Sequence, residues 1–168
     1  MNPWEAGLLG AIQGATEFLP VSSSGHLVMG RALLGIELPG VLFEVTVHLA
    51  TLLSIIVAYR GRVAGLASGI VRAEGHAWRY LGLLVLATIP AALVGLLWRD
   101  RVEALFESPM TVGFALFVTG LLLWSTRRAL RDEDDARWGE VAVGAALAMG
   151  LAQSFALVPG ISRSGATV

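Results

Sequence analysis

The chain has 168 residues, of which 55% are hydrophobic and 15% charged, with a mean hydropathy of +0.71 and a formal net charge of -1. That balance is too apolar for an ordinary water-soluble domain and suits a bilayer, and with no basic, aromatic-interleaved patch nucleic acid is excluded as a partner. Having no cysteine, the chain has no disulfide framework and no thiolate metal site, and all twelve basic residues are Arg, charged at any relevant pH.

In chain order, the first apolar stretch runs from Pro3 to Leu19 and ends in a Pro and Ser-rich break. It opens MNPWEAG, without the basic n-region and small-residue cleavage site of a secretory signal, so we expect it to be retained. A hydrocarbon core of about 30 Å needs roughly 20 apolar residues per helix. Val41 to Tyr59, Tyr80 to Trp98 and Met110 to Thr126 meet that standard with little interruption. A last apolar stretch, Val141 to Val158, again runs into a Pro and Ser-rich break. Trp4, Trp78, Trp98, Trp124 and Trp138 fall near span ends, as interfacial anchors do.

The connecting loops carry Arg60, Arg62, Arg72 and Arg79, then Arg99 and Arg101, then Arg127, Arg128, Arg131 and Arg137. Loops one and three share a side and hold eight Arg against two, so the positive-inside rule places them in the cytoplasm. The segment before Val41 then starts outside.

The first break, EFLPVSSSGHL (Glu17 to Leu27), puts a carboxylate, three hydroxyls, a glycine and a histidine between apolar runs, where a buried polar group is costly unless paired. Non-helical backbone at membrane depth is tolerated where protein covers it or where it lines a wet cavity. Ser22, Ser23, Ser24 and Gly25 precede an expected helix from His26 to Leu34, so free N–H groups, hydroxyls and the positive helix end converge there, which suits an anion such as phosphate.

A repeat connects the two breaks. GAIQGATEFLPVSSSG (Gly10 to Gly25) aligns without gaps on GLAQSFALVPGISRSG (Gly150 to Gly165) at a shift of 140 positions. Gly10, Gln13, Ser22, Ser24 and Gly25 fall on Gly150, Gln153, Ser162, Ser164 and Gly165, while Pro20 and Pro159 miss by one. Three spans separate the copies, an odd number, so the second copy enters from the opposite face if each dips in and returns. The expected architecture is an all-α integral membrane protein with an inverted-topology repeat, built from re-entrant helix hairpins that place an anion site at the midplane. The first repeat would occupy residues 1–140, with a hairpin over about 3–35 and spans at 41–59, 80–98 and 110–126; residues 141–168 would begin the second. Ser162, Arg163, Ser164 and Gly165 would approach the anion from the other side, Arg163 adding a fork suited to phosphate oxygens.

EFLPVSSSGHL and PGISRSGAT, with FEVTVHLATLLS between them, resemble the undecaprenyl-diphosphate phosphatase family, also called the bacitracin-resistance family. The resemblance implies a bacterial inner (plasma) membrane enzyme that releases phosphate from a polyprenyl diphosphate lipid, the carrier of cell-wall synthesis, at a site facing the periplasm. The family's acidic motif falls on Gln13 and Glu17, the first position being its Gln variant; together they imply a Mg2+ or Ca2+ ion held by oxygen ligands. The SSxGH element falls on Ser22, Ser23 and His26, and the PGxSRSGxT arginine on Arg163, with Ser162, Ser164 and Thr167 around it. Arg163 would hold phosphate oxygens, His26 would act as general base or acid, and Ser23 would be a nucleophile activated by His26 or only a phosphate ligand. A homodimer is the candidate assembly. The family has two complete repeats, so the period implies a whole protein of about 280 residues and a second repeat that is incomplete here; such a fragment is expected to bind poorly or be inactive.

The rival class is a transporter or flippase of polyprenyl phosphate, because inverted repeats with broken helices are a transporter architecture. A serine protease is excluded, since Gly160-Ile161-Ser162-Arg163 is followed by Ser164 where a nucleophile elbow needs Gly. A scaffold leaves the Arg and Glu in the breaks unexplained. Glu44 and His48, at i and i+4 in the first clear span, share a face as a structural pair or a second part of the site. His76 is expected to be solvated.

Overall fold

The structure is a computed structural model that describes residues 1–37, 40–126 and 141–167, among which every regular element is helical. The order is α1 (Pro3–Glu17), α2 (Ser23–Leu33), α3 (Leu42–Ala58), α4 (Arg60–Val71), α5 (Gly75–Leu97), α6 (Arg99–Leu105), α7 (Pro109–Thr126), α8 (Val143–Phe155) and α9 (Arg163–Thr167). Arg127, Arg128, Arg131, Arg137 and Trp138 lie outside the described residues.

Local chemistry sets the ends of these helices. Asn2 caps α1 through a capping box, its Oδ1 accepting from Glu5 N at 2.9 Å while Asn2 N donates to Glu5 Oε2 at 2.7 Å, and Pro3 fills the first turn, where its missing N–H is no loss. Such a cap contributes about 1 kcal/mol. Ser22, at φ 65°, turns the chain out of α1 and caps α2, which begins at Ser23 rather than at His26.

Two segments expected to be loops are helices. Arg60 and Arg62 lie on α4, and Arg99 and Arg101 on α6, because Arg, Ala and Leu are good helix formers and neither segment contains Pro. α5 accordingly starts at Gly75 and includes Arg79. Among the described residues, only α5 is by itself long and apolar enough to cross a membrane; α3 reaches the length with α4 across an 80° bend, and α7 with α6 across an 87° bend. The 17 residues of α3 rise about 25 Å, short of a full hydrocarbon core.

The interior is small and glycine-rich, and the exterior is apolar. Leu9, Leu27, Val28, Val112 and Pro159 are buried, whereas Leu84, Val85, Ile89 and Leu93 of α5 and Leu49, Leu52 and Leu53 of α3 are exposed. Outward leucines fit a lipid solvent, in which helices associate by close packing of small residues. α5 and α8 form the most extensive helix pair, and there a Cβ on Gly150 would lie 2.7 Å from Ala87 O. α2 packs between α1 and α7, and α9 against α7 and α8, which brings both serine breaks to one place.

Candidate functional site: two serine kinks around one cavity

The two breaks have the same local construction. Ser22 Oγ accepts from Gly25 N at 3.4 Å and Ser162 Oγ accepts from Gly165 N at 3.1 Å. Each cap serine also contacts the hydroxyl two residues on, Ser24 at 3.4 Å and Ser164 at 3.2 Å. His26 N bonds Ser22 O, and Ala166 N bonds Ser162 O. The 140-residue alignment therefore holds at the level of individual hydrogen bonds.

The kinks touch reciprocally. A Cβ on Gly25 would lie 2.8 Å from Gly160 Cα, and one on Gly165 would lie 3.3 Å from Pro20 O. Gly160 occupies the repeat position of Pro20, so each glycine packs on the partner kink's equivalent residue. Gly160 N also donates to Ser22 Oγ at 3.2 Å. On the α7 side, buried Thr119 holds the second kink, donating to Gly160 O at 2.7 Å and accepting from Ser162 N at 3.1 Å. Gly160 has φ +102°, a conformation that glycine adopts without steric cost.

Between the kinks lies a polar cavity of about 320 Å³. Ser22, Ser23, Ser24 and Glu17 line it from one side, and Ser162, Arg163, Ser164, Thr167 and Gln153 from the other. Glu17 Oε2 accepts from Ser23 Oγ at 2.5 Å and from Gln13 Nε2 at 2.7 Å. His48 Nε2 stands 3.7 Å from the same oxygen. Arg163 has no carboxylate within salt-bridge reach among the described residues, leaving its guanidinium available to an anion. A second cavity, about 420 Å³ and apolar over most of its wall, shares Ser24 and Arg163 with the first and continues along Val45, Gly95, Val102, Phe106 and Leu157, with Glu44, His48, Arg99 and Glu103 also on its lining.

Of the residues singled out from the sequence, Glu17, Ser22, Ser23, Ser24, Ser162, Arg163, Ser164 and Thr167 meet around this cavity. Gly25 and Gly165 stand behind it, their N–H groups taken up by the serine caps. Gln13 is buried, and its nitrogen rather than its oxygen faces Glu17; Oε1 is buried with no partner. The His26 ring does not line the cavity: Nδ1 donates to Ser22 O at 2.8 Å, and the Ser23 hydroxyl goes to Glu17 instead. Glu44 and His48 do not pair by their side chains. Glu44 forms a buried ion pair with Arg31, while His48 Nδ1 donates to the Glu44 carbonyl at 2.7 Å. His76 is exposed and faces Glu74 at 3.4 Å. Sequence reasoning missed Gln153, although its alignment with Gln13 was a signal, and Thr119, a lone hydroxyl in an apolar helix.

Residues 6–168 match the family described as bacitracin resistance protein BacA. The chain belongs to that family. It is 44% identical over 168 residues to undecaprenyl-diphosphatase 1 of Halalkalibacterium halodurans, covering 96% of this chain and 60% of that protein. It is 43% identical to the undecaprenyl-diphosphatase of Christiangramia forsetii, with 100% and 64% covered, and 42% identical to that of Rubrobacter xylanophilus, with 98% and 63% covered. The chain thus spans about 60–64% of the length of these relatives. BacA membership and the apolar helices make this a membrane protein.

Proposed function

We propose that this BacA-family chain carries the site of a bacterial inner-membrane phosphoanhydride hydrolase, which converts undecaprenyl or a related polyprenyl diphosphate to the monophosphate and phosphate. That reaction would recycle the lipid carrier of cell-wall synthesis and confer bacitracin resistance. The observation that carries the reading is the meeting of both serine kinks around one cavity holding Glu17 and Arg163. The adjoining apolar cavity supports a lipid substrate, because Ser24 and Arg163 belong to both spaces and a headgroup in one would place its prenyl chain in the other.

Arg163 and the hydroxyls would bind the terminal phosphate, where positioned charge supplies most of the rate in phosphoryl transfer. The bond from Ser23 Oγ to Glu17 Oε2 favours serine over water as nucleophile. Oγ would bond to the terminal phosphorus as the bridging P–O bond breaks, Glu17 would take the hydroxyl proton and return it to the departing prenyl phosphate, and water would then release phosphate from the serine. A carrier that only moved polyprenyl phosphate has no use for that hydroxyl–carboxylate pair. His26 would steady the kink through Ser22 O.

The residues fit a divalent cation beside Glu17. This carboxylate ends α1, where the helix field is negative, and the buried Gln13 Oε1 lacks a partner. Glu17 would hold the ion, with Gln13 joining if its amide turned over; Mg2+ or Ca2+ there would neutralise phosphate charge. The shared cap pattern and reciprocal glycine contacts support opposed re-entrant hairpins in an inverted repeat, and the Arg count of the connecting segments supports a site facing the periplasm.

The test is phosphate release from undecaprenyl diphosphate by the protein reconstituted in lipid. Arg163→Ala should lower kcat/KM by about 10²–10³ and Glu17→Ala by about 10²–10⁴. Undiminished turnover in both would overturn the site.

A further inference from the structure

Gln153 lines the polar cavity yet has no part in the proposed serine chemistry. In the first copy its counterpart Gln13 is tied to the carboxylate one turn further on, donating to Glu17 at 2.7 Å. The second copy has Leu157 at that place, an aliphatic side chain on the wall of the apolar cavity. The Gln153 amide is thereby free of the i,i+4 pairing and borders the polar cavity instead.

Most polar groups of that wall are committed. Ser23 donates to Glu17, Ser22 and Ser162 accept from glycine amides, Ser24 and Ser164 contact those cap hydroxyls, and Thr167 donates to backbone carbonyls. Among the described residues, Arg163 and Gln153 are the cavity side chains whose polar atoms have no hydrogen bond within the protein. Both belong to the second copy, across from Ser23.

The amide differs in kind from the guanidinium. Arg163 can only donate, whereas a glutamine side chain holds an acceptor oxygen and a donor nitrogen on one planar group. A phosphate oxygen would use the nitrogen alone. A water attacking a phosphoryl group suits both ends, since it donates to the amide oxygen while the nitrogen donates to a phosphoryl oxygen; a glutamine orients the attacking water in GTP hydrolases. The second step of the proposed reaction needs such a water. Displacement at phosphorus is in line, so with Ser23 Oγ bonded on the first-copy side, the water must arrive from the far side once the prenyl phosphate has gone. Gln153 stands on that side, on α8, and it borders the polar cavity but not the apolar one assigned to the prenyl chain.

We propose that Gln153 is the positioning residue for the water that frees phosphate from Ser23. The inference rests on the hydrolase reading with serine as nucleophile. The water oxygen bonds to phosphorus as the Ser23 Oγ–P bond breaks, and the water's proton passes by way of Glu17 to Oγ, which restores the hydroxyl. The neutral amide holds the water and takes no proton.

The experiment is rapid quench of the lipid-reconstituted protein with undecaprenyl diphosphate radiolabelled in its terminal phosphate, following label on the chain and free phosphate over time. We expect Gln153→Ala to take label onto Ser23 at the wild-type rate but to release phosphate about 10²-fold more slowly, so that labelled chain accumulates. Gln153→Met, close to glutamine in size but without the amide, should do the same. Uptake and release slowed together, no change in either, or a Met variant that behaves as wild type would overturn the proposal. Phosphate release with no label on the wild type or either variant sinks the serine step and the inference with it, and leaves the hydrolase standing. Absence of both label and release in the wild type sinks the hydrolase itself, and the water step falls with it.

Discussion

The two kinks share a scaffold and differ in chemistry. Both use a serine cap closing on a glycine amide, both set a second hydroxyl two residues on, and both begin a helix at the residue after the cap. At that residue the first has Ser23 and the second Arg163. Six residues before Ser23 stands Glu17, in the polar cavity; the equivalent position is Leu157, in the apolar one. Repetition thus supplies matched backbone, and divergence at two positions separates the kinks: the first holds a hydroxyl against a carboxylate, and the second sets a guanidinium with no carboxylate partner among the described residues beside an apolar wall.

The comparison breaks most severely at the contact face. Gly160→Ala should destabilise by about 2–4 kcal/mol, because it imposes a Cβ at φ +102° and 2.7 Å from Val112 O. Thermal unfolding in detergent would measure it, and a midpoint within a degree of wild type would contradict the close approach. The paired glycines sharpen the asymmetry. Gly25→Ala meets Gly160 Cα at 2.8 Å and should cost about 1–3 kcal/mol. Gly165→Ala, with nothing nearer than 3.2 Å, should cost less than about 1 kcal/mol. The reverse order would refute the packing described. Smallest is the difference between the caps. Ser22→Ala and Ser162→Ala should each lose about 1 kcal/mol, with Ser22 the worse because it alone also accepts from Gly160 N. Equal losses, read from the same unfolding curves, would mean that this cross-kink bond contributes nothing.

The membrane helices and the convergence of the breaks were legible in the sequence, since both follow from local composition: long apolar runs, and two copies of a cap motif. What stayed hidden depends on contacts between distant segments. Glu44 and His48 have a spacing that suits a mutual pair, yet Glu44 turns to Arg31 on α2 and His48 to Glu17 on α1, and no i,i+4 rule reports such partners. Thr119 reads as one more residue of an apolar helix until the turn at Gly160 is laid against it. The Arg-rich segments after Tyr59 and Trp98 were misread because charge was weighed above helix propensity, although Pro109 does mark the joint between α6 and α7.

The contact of Gly25 with Gly160 has a consequence for small-molecule design. A compound lodged between the kinks would stop at the side chains of Ser22, Ser23 and Ser162, because behind them a Cβ on Gly25 would already strike the Gly160 main chain and leave no deeper space. Affinity would have to be gained outward, past Ser24 and Arg163 toward Gly95, where an added Cβ meets nothing closer than 4.0 Å.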